Sequence, residues 1–362
     1  IPVPKVQEKD GEKIIHDELR DREFRYRQRY VDLTLNPEVA TVFRQRNVMM
    51  QTIRTYLTEQ GFLEVETPTL QPVYGGANAT PFITHHKALD QNFFLRIANE
   101  LYLKRLIAGG FDAVFEFTKN FRNEGIDRTH NPEFSALEFY QANVDYTAMM
   151  EHTEQIFSLC AQALHGSMQF EYDGQLLDVS PPWKRMSMYE VLQELAGIEV
   201  ESLDDQELQN VLRSNDLELE GAWNRGLAIQ LLFEEKCETQ LIQPIFITGY
   251  PKETSPLCKQ HRENPNLIER FEAFINGWEL ANAYSELNDP QLQRSLMEEQ
   301  VERGRGGESE TQPLDEDFIR CIEYGMPPMG GIGFGIDRMG MLLTGQTTIR
   351  DVILFPTMRP EQ

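Results

Sequence analysis

The chain has 362 residues, with 34 Lys and Arg against 58 Asp and Glu and a formal net charge of −24. That length supports one large core or two ordinary ones and excludes a lone peptide-scale module, while the acidic balance repels phosphate backbones except at local sites. Cys160, Cys237, Cys258 and Cys321 have neither disulfide-framework density nor metal-ligand spacing, which suits a reducing cytoplasm, and no apolar run reaches the roughly 18 residues of a membrane span.

Residues 1–35 read as a linker and lead-in segment. "IPVPKV" is proline-stiffened and is expected to follow an upstream domain. "RDREFRYRQRY" crowds Arg20, Arg22, Arg25, Arg27 and Arg29 into one stretch, either a local nucleic-acid contact or a salt-bridged arm. A first helix is expected with Asn36 as its cap, Pro37 in its first turn, apolar residues from Val39 to Leu57 at helical spacing, and Gly61 closing it. "FLEVETPTL" alternates like a strand ending at Pro68, and "ANELYLKRLIAGG" reads as a short helix closed by Gly109 or Gly110. "AVFEFTKNF" and "EFSALEFYQA" predict two strands around a charged loop, and a long helix should run from Asp145 to about Leu164. Residues 168–240 read as a small helical insertion that contains the capping box "SMYE". Residues 36–167 and 241–362 would be the two parts of one domain around it. "PIFITGYP" is strand-like, "RGRGGESETQP" predicts a flexible loop, and "GGIGFGIDRMGMLL" predicts a glycine-rich strand feeding a helix. Hairpins separated by helices, without a regular βαβ alternation, predict an α+β fold on an antiparallel sheet. Neither GxGxxG nor a P-loop pattern is present.

Three groups of residues carry candidate chemistry. Phe134, Ala136, Glu138 and Tyr140 share one strand face, with Arg122 and Glu124 just before the loop. Cross-strand ion pairs on an exposed face are the alternative reading. In "ERFEAFINGWELANAYSELNDP", the Asn276-Gly277 turn sets Phe274 opposite Glu279, so Glu272 and Glu279 share a face and would repel unless a cation such as Mg²⁺ lies between them. Asn282, Tyr284 and Glu286 can join that face only if a β-bulge falls near Leu280 to Ala281. In "GGIGFGIDRMG", Gly331, Gly333 and Gly335 would leave a strand face bare for a flat ligand, and Arg338 opposes the helix dipole, as a residue serving a bound anion would. Close strand packing is the alternative. Glu100 lies in the first turn of its helix, where it could cap or receive an amine.

"FRNEGIDRTHNPEFSALEFY", "WELANAYSELNDP" and "GIGFGIDRMGMLL" resemble motifs of class II lysyl-tRNA synthetases, and "GFLEVETPTLQP" resembles the dimer-forming motif of that class. The likeness runs from about Tyr26 to Pro360. It implies a six- or seven-stranded antiparallel catalytic sheet flanked by helices, a homodimer, and lysine-tRNA ligase activity with L-lysine, ATP and the tRNA(Lys) acceptor end as substrates and Mg²⁺ as cofactor. By position it implies Arg122 and Arg338 as the catalytic cations. Lysine would be bound by Gly76, Glu100, Arg122, Glu138, Tyr140, Asn282, Tyr284, Glu286 and Gly333. ATP would be bound by Arg122, Glu124, His130, Asn131, Phe134, Glu272 and Arg338, with Mg²⁺ on Glu272 and Glu279. The family's usual N-terminal anticodon-binding OB-fold is not in the chain, Trp278 replaces a commonly basic residue, and Arg128 is followed by Thr129 rather than by the His. The competing readings are the paralogue that lysylates elongation factor P, which carries Ala at the position of Gly333, and a catalytically silent lysine sensor.

Overall fold

The computed structural model of the protein describes residues 5–9, 12–16, 21–219, 221–305 and 312–360. The proline-rich start, Arg20 and the centre of the "RGRGGESETQP" run lie outside the described residues. Strands β1 (Lys5–Lys9) and β2 (Glu12–His16) pair as an antiparallel hairpin. Helices α1 (Arg22–Arg27) and α2 (Arg29–Leu35) contain the arginine-rich run, and they answer which of its two readings holds. Arg25 and the buried Arg29 lie 2.7 and 2.8 Å from Asp32. Arg29 also donates to the carbonyls of Arg350, Ile353 and Leu354, so this stretch is a salt-bridged arm docked on the C-terminal segment.

Helix α3 (Pro37–Glu59) has Pro37 at its start and Gly61, at φ +86°, just beyond its end. Its buried residues are Val39, Met49, Ile53 and Leu57. Asn36 stands at the cap position but does not cap: its amide donates to the buried Asp32 at 2.7 Å. The strand expected over 62–70 is two fragments, β3 (Leu63–Glu64) and β4 (Leu70–Gln71). Between them the Thr67 amide and hydroxyl bond the Glu116 carboxylate, and Pro68 has no donor to offer a ladder.

Strand β5 (Ile83–His86) and β6 (Gln91–Leu95) join β4 in a three-stranded sheet. Helix α4 (Glu100–Ala108) then leads to β7 (Ala113–Phe121) and β8 (Glu133–Ala142), which pair without interruption from Ala113–Gln141 to Phe121–Glu133. Asp145 caps α5 (Tyr146–His165), and Gly166 ends it in the left-handed region at φ +70°.

The stretch 168–240 is helical only in its later part. It opens with the hairpin β9 (Gln169–Tyr172) and β10 (Gln175–Asp178), followed by β11 (Lys184–Ser187). Each of these strands has only four residues, too few for alternation to stand out beside the strongly helical text that follows. Then come α6 (Met188–Val191), with the complete Ser187/Glu190 capping box, α7 (Asp205–Ser214) and α8 (Arg225–Lys236). The chain continues through β12 (Ile245–Thr248), β13 (Arg270–Ile275), β14 (Trp278–Ser285), α9 (Pro290–Arg305), α10 (Glu316–Glu323), β15 (Met329–Gly335), α11 (Ile336–Leu343) and α12 (Ile349–Val352).

Among the described residues eight strands form the main sheet, in the order β11-β12-β13-β14-β15-β8-β7-β3. The interior is antiparallel, while β11 and β3 add parallel pairs at the two edges. One strand more than expected is present because β11, which falls in the stretch read as helical, extends the sheet. Alternation sorts the two faces. Leu137 and Phe139 of β8 enter a core with Phe115, Phe271, Phe334, Ile53, Phe157 and Met339, so α3, α5 and α11 cover one face. The other face is left to Glu138, Tyr140 and their neighbours. Helices α7 and α8 pack Leu208, Ile229, Leu232 and Phe233 against Ile245, Ile247 and Phe274, sharing a core with the sheet edge.

Candidate active site

The hairpin of β13 and β14 determines which carboxylates meet. Asn276 and Gly277 both have positive φ, 57° and 69°, as a two-residue turn of this type requires. Phe274 pairs with Glu279 and Ala273 with Ala281, so Leu280 is an extra residue on β14. This is the expected bulge. It sends the Leu280 side chain into the core and brings Glu279 onto the face that carries Glu272 and Asn282. The Asn282 amide lies 2.9 Å from Glu272 Oε1 and 3.3 Å from Glu279 Oε1.

Arg270, two residues before Glu272 on β13, pairs with it and places its guanidinium 4.3 Å from the centre of the Tyr250 ring. Tyr250 donates to Glu272 Oε2 at 2.7 Å. Burial pushes Glu272 up to about 7 against the pull of Arg270, with Glu279 adding to the rise. Burial likewise pushes Glu238 up to about 8, helped by Glu272, Glu234 and Glu279. Anionic oxygens outnumber cations on this wall, and the donor set fits a hydrated divalent ion. Among the described residues no group of three or more His, Cys, Asp or Glu forms a closed metal cage. Glu272 and Glu279 offer the oxygen donors on this wall to which such an ion could bind.

Across the cavity, Arg122 follows β7 with its guanidinium 5.1 Å from the centre of the Phe134 ring. Its Nε is buried without an acceptor among the described residues. Glu124 accepts from the Thr80 amide at 3.4 Å. Arg338, in the first turn of α11, donates to the Glu279 carbonyl at 3.0 Å and lies 2.8 Å from His130 Nε2, while His130 Nδ1 lies 2.7 Å from Asp127. Asn131 is engaged structurally: its amide donates to the Glu133 carbonyl and its oxygen accepts from Thr357. Asp337 accepts from the Ser135 amide at 2.7 Å and pairs with Arg46, locking α11 to β8.

The third wall is acidic. Glu138 is pushed up to about 8 by burial and by the charge of Glu100, and its carboxylate accepts from the Tyr140 hydroxyl at 3.2 Å. Burial pushes Glu286 up to about 8 against the pull of Lys104. Glu100 does not cap α4; Asn99 holds the cap position, and Glu100 lies 2.5 Å from Lys104 Nζ. Lys104 also pairs with Glu286 Oε2, whereas Glu286 Oε1 is buried with no donor among the described residues. Gly76 has φ +87° and donates its amide to Gln312 at 3.0 Å, and a Cβ on it would lie 2.9 Å from Glu100 Cβ.

The glycine strand is only partly bare. A Cβ at Gly331 would collide with the Glu286 carboxylate and the Tyr140 ring, so that room goes to side chains rather than to a flat ligand. At Gly333 a Cβ would meet only Glu138 Cγ, at 3.5 Å, and at Gly335 only the Arg338 side chain, at 3.8 Å. The bare floor therefore begins at Gly333.

One cavity of about 710 Å³ is lined by every candidate residue, from Gly76, Glu100, Arg122 and Glu124 to Gly333 and Arg338. Sequence reasoning missed Lys104, Arg270, Tyr250, Gln312 and Asp337. Lys104 follows Glu100 by four residues on a helix, and Arg270 precedes Glu272 by two on a strand; both spacings predict a shared face. Gln312 carries no local signal.

The family described as tRNA synthetases class II (D, K and N) matches residues 21–359. A lysine–tRNA ligase of Porphyromonas gingivalis strain ATCC BAA-308 / W83 is 52% identical over 361 residues, covering 100% of this chain and 62% of its own length. One from Christiangramia forsetii is 50% identical over 362 residues, covering 100% of this chain and 63% of its own. One from Syntrophomonas wolfei is 51% identical over 343 residues, covering 94% of this chain and 70% of its own. The chain thus spans less than two thirds of the first two relatives. Among the described residues no helix is long and apolar enough to cross a membrane.

Proposed function

The chain belongs to the class II tRNA synthetases of the D, K and N group, and from that premise we propose that it activates L-lysine with ATP and passes the lysyl group to the acceptor end of tRNA(Lys). One pairing of unmet bonds carries the reading. Among the described residues Arg122 Nε is a buried donor without an acceptor and Glu286 Oε1 a buried acceptor without a donor, and both residues line one cavity. A free amino acid with a cationic side chain supplies what each needs.

In the first step a lysine carboxylate oxygen bonds the α-phosphorus of ATP while the bond to the bridging oxygen breaks and pyrophosphate leaves. No general base is required, because the carboxylate is already ionised at neutral pH. Arg122 holds the lysine carboxylate beside the α-phosphate and neutralises charge that develops there. Glu124 receives the adenine amino group, Phe134 and Arg338 sandwich the ring, and His130 and Asn131 border the nucleotide. Glu272 and Glu279 would hold Mg²⁺, which would supply positive charge against the phosphates when bound. Gly76 and Glu100 receive the α-amino group, Asn282 the carboxylate, and Tyr140 and Glu286 the side-chain ammonium, with Glu138, Tyr284 and Gly333 shaping the pocket. In the second step a terminal tRNA hydroxyl attacks the carbonyl carbon of the lysyl-adenylate, the ester forms as the bond from that carbon to the phosphate oxygen breaks, and AMP leaves while the hydroxyl proton passes to solvent.

The protein acts as a homodimer in the cytoplasm. Exposed Leu63 and Leu70, in the segment that resembles the dimer-forming motif, support the dimer. Arg122, Arg338, Glu272 and Glu279 around one cavity favour catalysis over a silent sensor. The test is lysine-dependent exchange of labelled pyrophosphate into ATP, abolished by Arg122→Ala. A folded chain that exchanges with no amino acid would be a sensor, and preferential lysylation of elongation factor P over tRNA(Lys) would make it the paralogue.

A further inference from the structure

We propose that Lys104 is a specificity-determining positioning residue, a resident ammonium that ties Glu100 to Glu286 and so fixes the charge and length of the pocket for a diamino acid. The inference rests on the lysine reading of the site.

Lys104 is wholly enclosed, with 0% exposure. It lies 2.5 Å from Glu100 on its own helix and pairs with Glu286, which follows β14. Glu100 and Glu286 line the cavity but Lys104 does not, so it touches no ligand and can act only through the two carboxylates. The charges then balance. With the carboxylates ionised around a bound diamino acid, Glu100, Glu138 and Glu286 contribute three negative charges and Lys104 one positive, a net charge of minus two that the two ammonium groups of the ligand match. The substrate carboxylate is matched separately by Arg122. Without Lys104, three buried carboxylates would face two ammonium groups, and one would take up a proton to relieve the excess.

The geometry sets a length as well as a charge. On the proposed reading Glu100 receives the α-amino group and Glu286 the side-chain ammonium; because one Nζ meets both carboxylates, neither can move on its own to follow a shorter diamine. The titratable groups facing this pair are Glu138 and Tyr140 on β8, Tyr284 on β14, and Cys258 bridged to Glu286.

Two variants separate this role from simple support of the fold. Lys104→Met keeps the length and removes the charge; Lys104→Arg keeps the charge and alters the reach. Exchange kinetics with lysine and ornithine, at pH 7 to 8.5, are read beside thermal melting of each protein. For Lys104→Met we expect the lysine KM to rise at least tenfold at pH 7 with the ATP KM unchanged, and to recover as pH rises and the carboxylates ionise again. For Lys104→Arg we expect the wild-type pH profile with lysine-over-ornithine preference reduced at least threefold. Wild-type lysine KM, pH profile and ornithine rejection in both variants would overturn the proposal, as would losses confined to melting temperature or shared equally by ATP. Should the Met variant not fold, unchanged ornithine rejection in the Arg variant overturns it alone. Absence of lysine-dependent exchange in the wild-type protein would instead sink the underlying lysine reading.

Discussion

Tyr250 holds Glu272 from behind: its hydroxyl donates 2.7 Å to Oε2, leaving Oε1 to Asn282 and Arg270. A hydrogen bond to a charged group contributes about 1.5–3 kcal/mol. Tyr250→Phe removes it without opening a cavity. The Mg²⁺ concentration for half-maximal pyrophosphate exchange should rise about tenfold, with the lysine KM unchanged, in a magnesium titration of exchange rate.

Glu138 and Glu286 are both pushed up to about 8, so near neutral pH the empty pocket holds protons. Lysine brings ammonium groups that favour the ionised carboxylates, and its binding should release protons at pH 7. Calorimetry in buffers of different ionisation heat would show a buffer-dependent enthalpy; identical enthalpies would contradict this. The same shifts govern stability. The folded chain keeps protons that the unfolded chain, with carboxyls near 4.5, has already lost, so these groups stabilise the empty protein below that pH and the contribution fades as pH rises toward 8. Melting temperature should fall from pH 5 to 8.5 without lysine and fall less with it.

Gly331 and Gly333 predict opposite outcomes from the same substitution. Gly331→Ala places a methyl group into the Glu286 carboxylate and the Tyr140 ring, and should destabilise the fold by about 1–3 kcal/mol while weakening lysine binding. Gly333→Ala meets only Glu138 Cγ, at ordinary contact distance, and should melt like the wild type while raising the lysine KM. Paired melting curves and exchange kinetics decide both.

Arg29 is buried against Asp32 and three backbone carbonyls, so it is structural despite its basic neighbourhood. Removing one member of such a pair costs about 3–5 kcal/mol. Arg29→Met should lose that much in urea denaturation, with the salt dependence of tRNA binding unaltered.

The central strands, the capping box and the bulge at Leu280 were legible because each rests on local rules of alternation, turn chemistry and parity. Glu279 and Asn282 stand an odd number of steps apart, and only an extra residue lets them share a face. Lys104 escaped because its reading depends on Glu286, which follows it by more than 180 positions and meets it only after the sheet has closed. Gln312 touches Gly76 across a comparable separation with no periodic pattern to announce it. The strand β11 was hidden differently: four residues are too few for alternation to speak against helical neighbours. Asn36 follows the statistics of a helix cap, yet the buried Asp32 captures its side chain.

Helix α8 has two faces with separate consequences. Its inner row, Ile229, Leu232 and Phe233, welds the inserted segment to the sheet edge. Glu234 of the same helix lines the cavity, and Glu238 just beyond it repels Glu272 and Glu279. Burial raises both carboxyls, Glu238 to about 8, so the edge that this helix gives the cavity takes up protons near neutral pH and exposes its negative charge only when a cation lies against it or the pH rises.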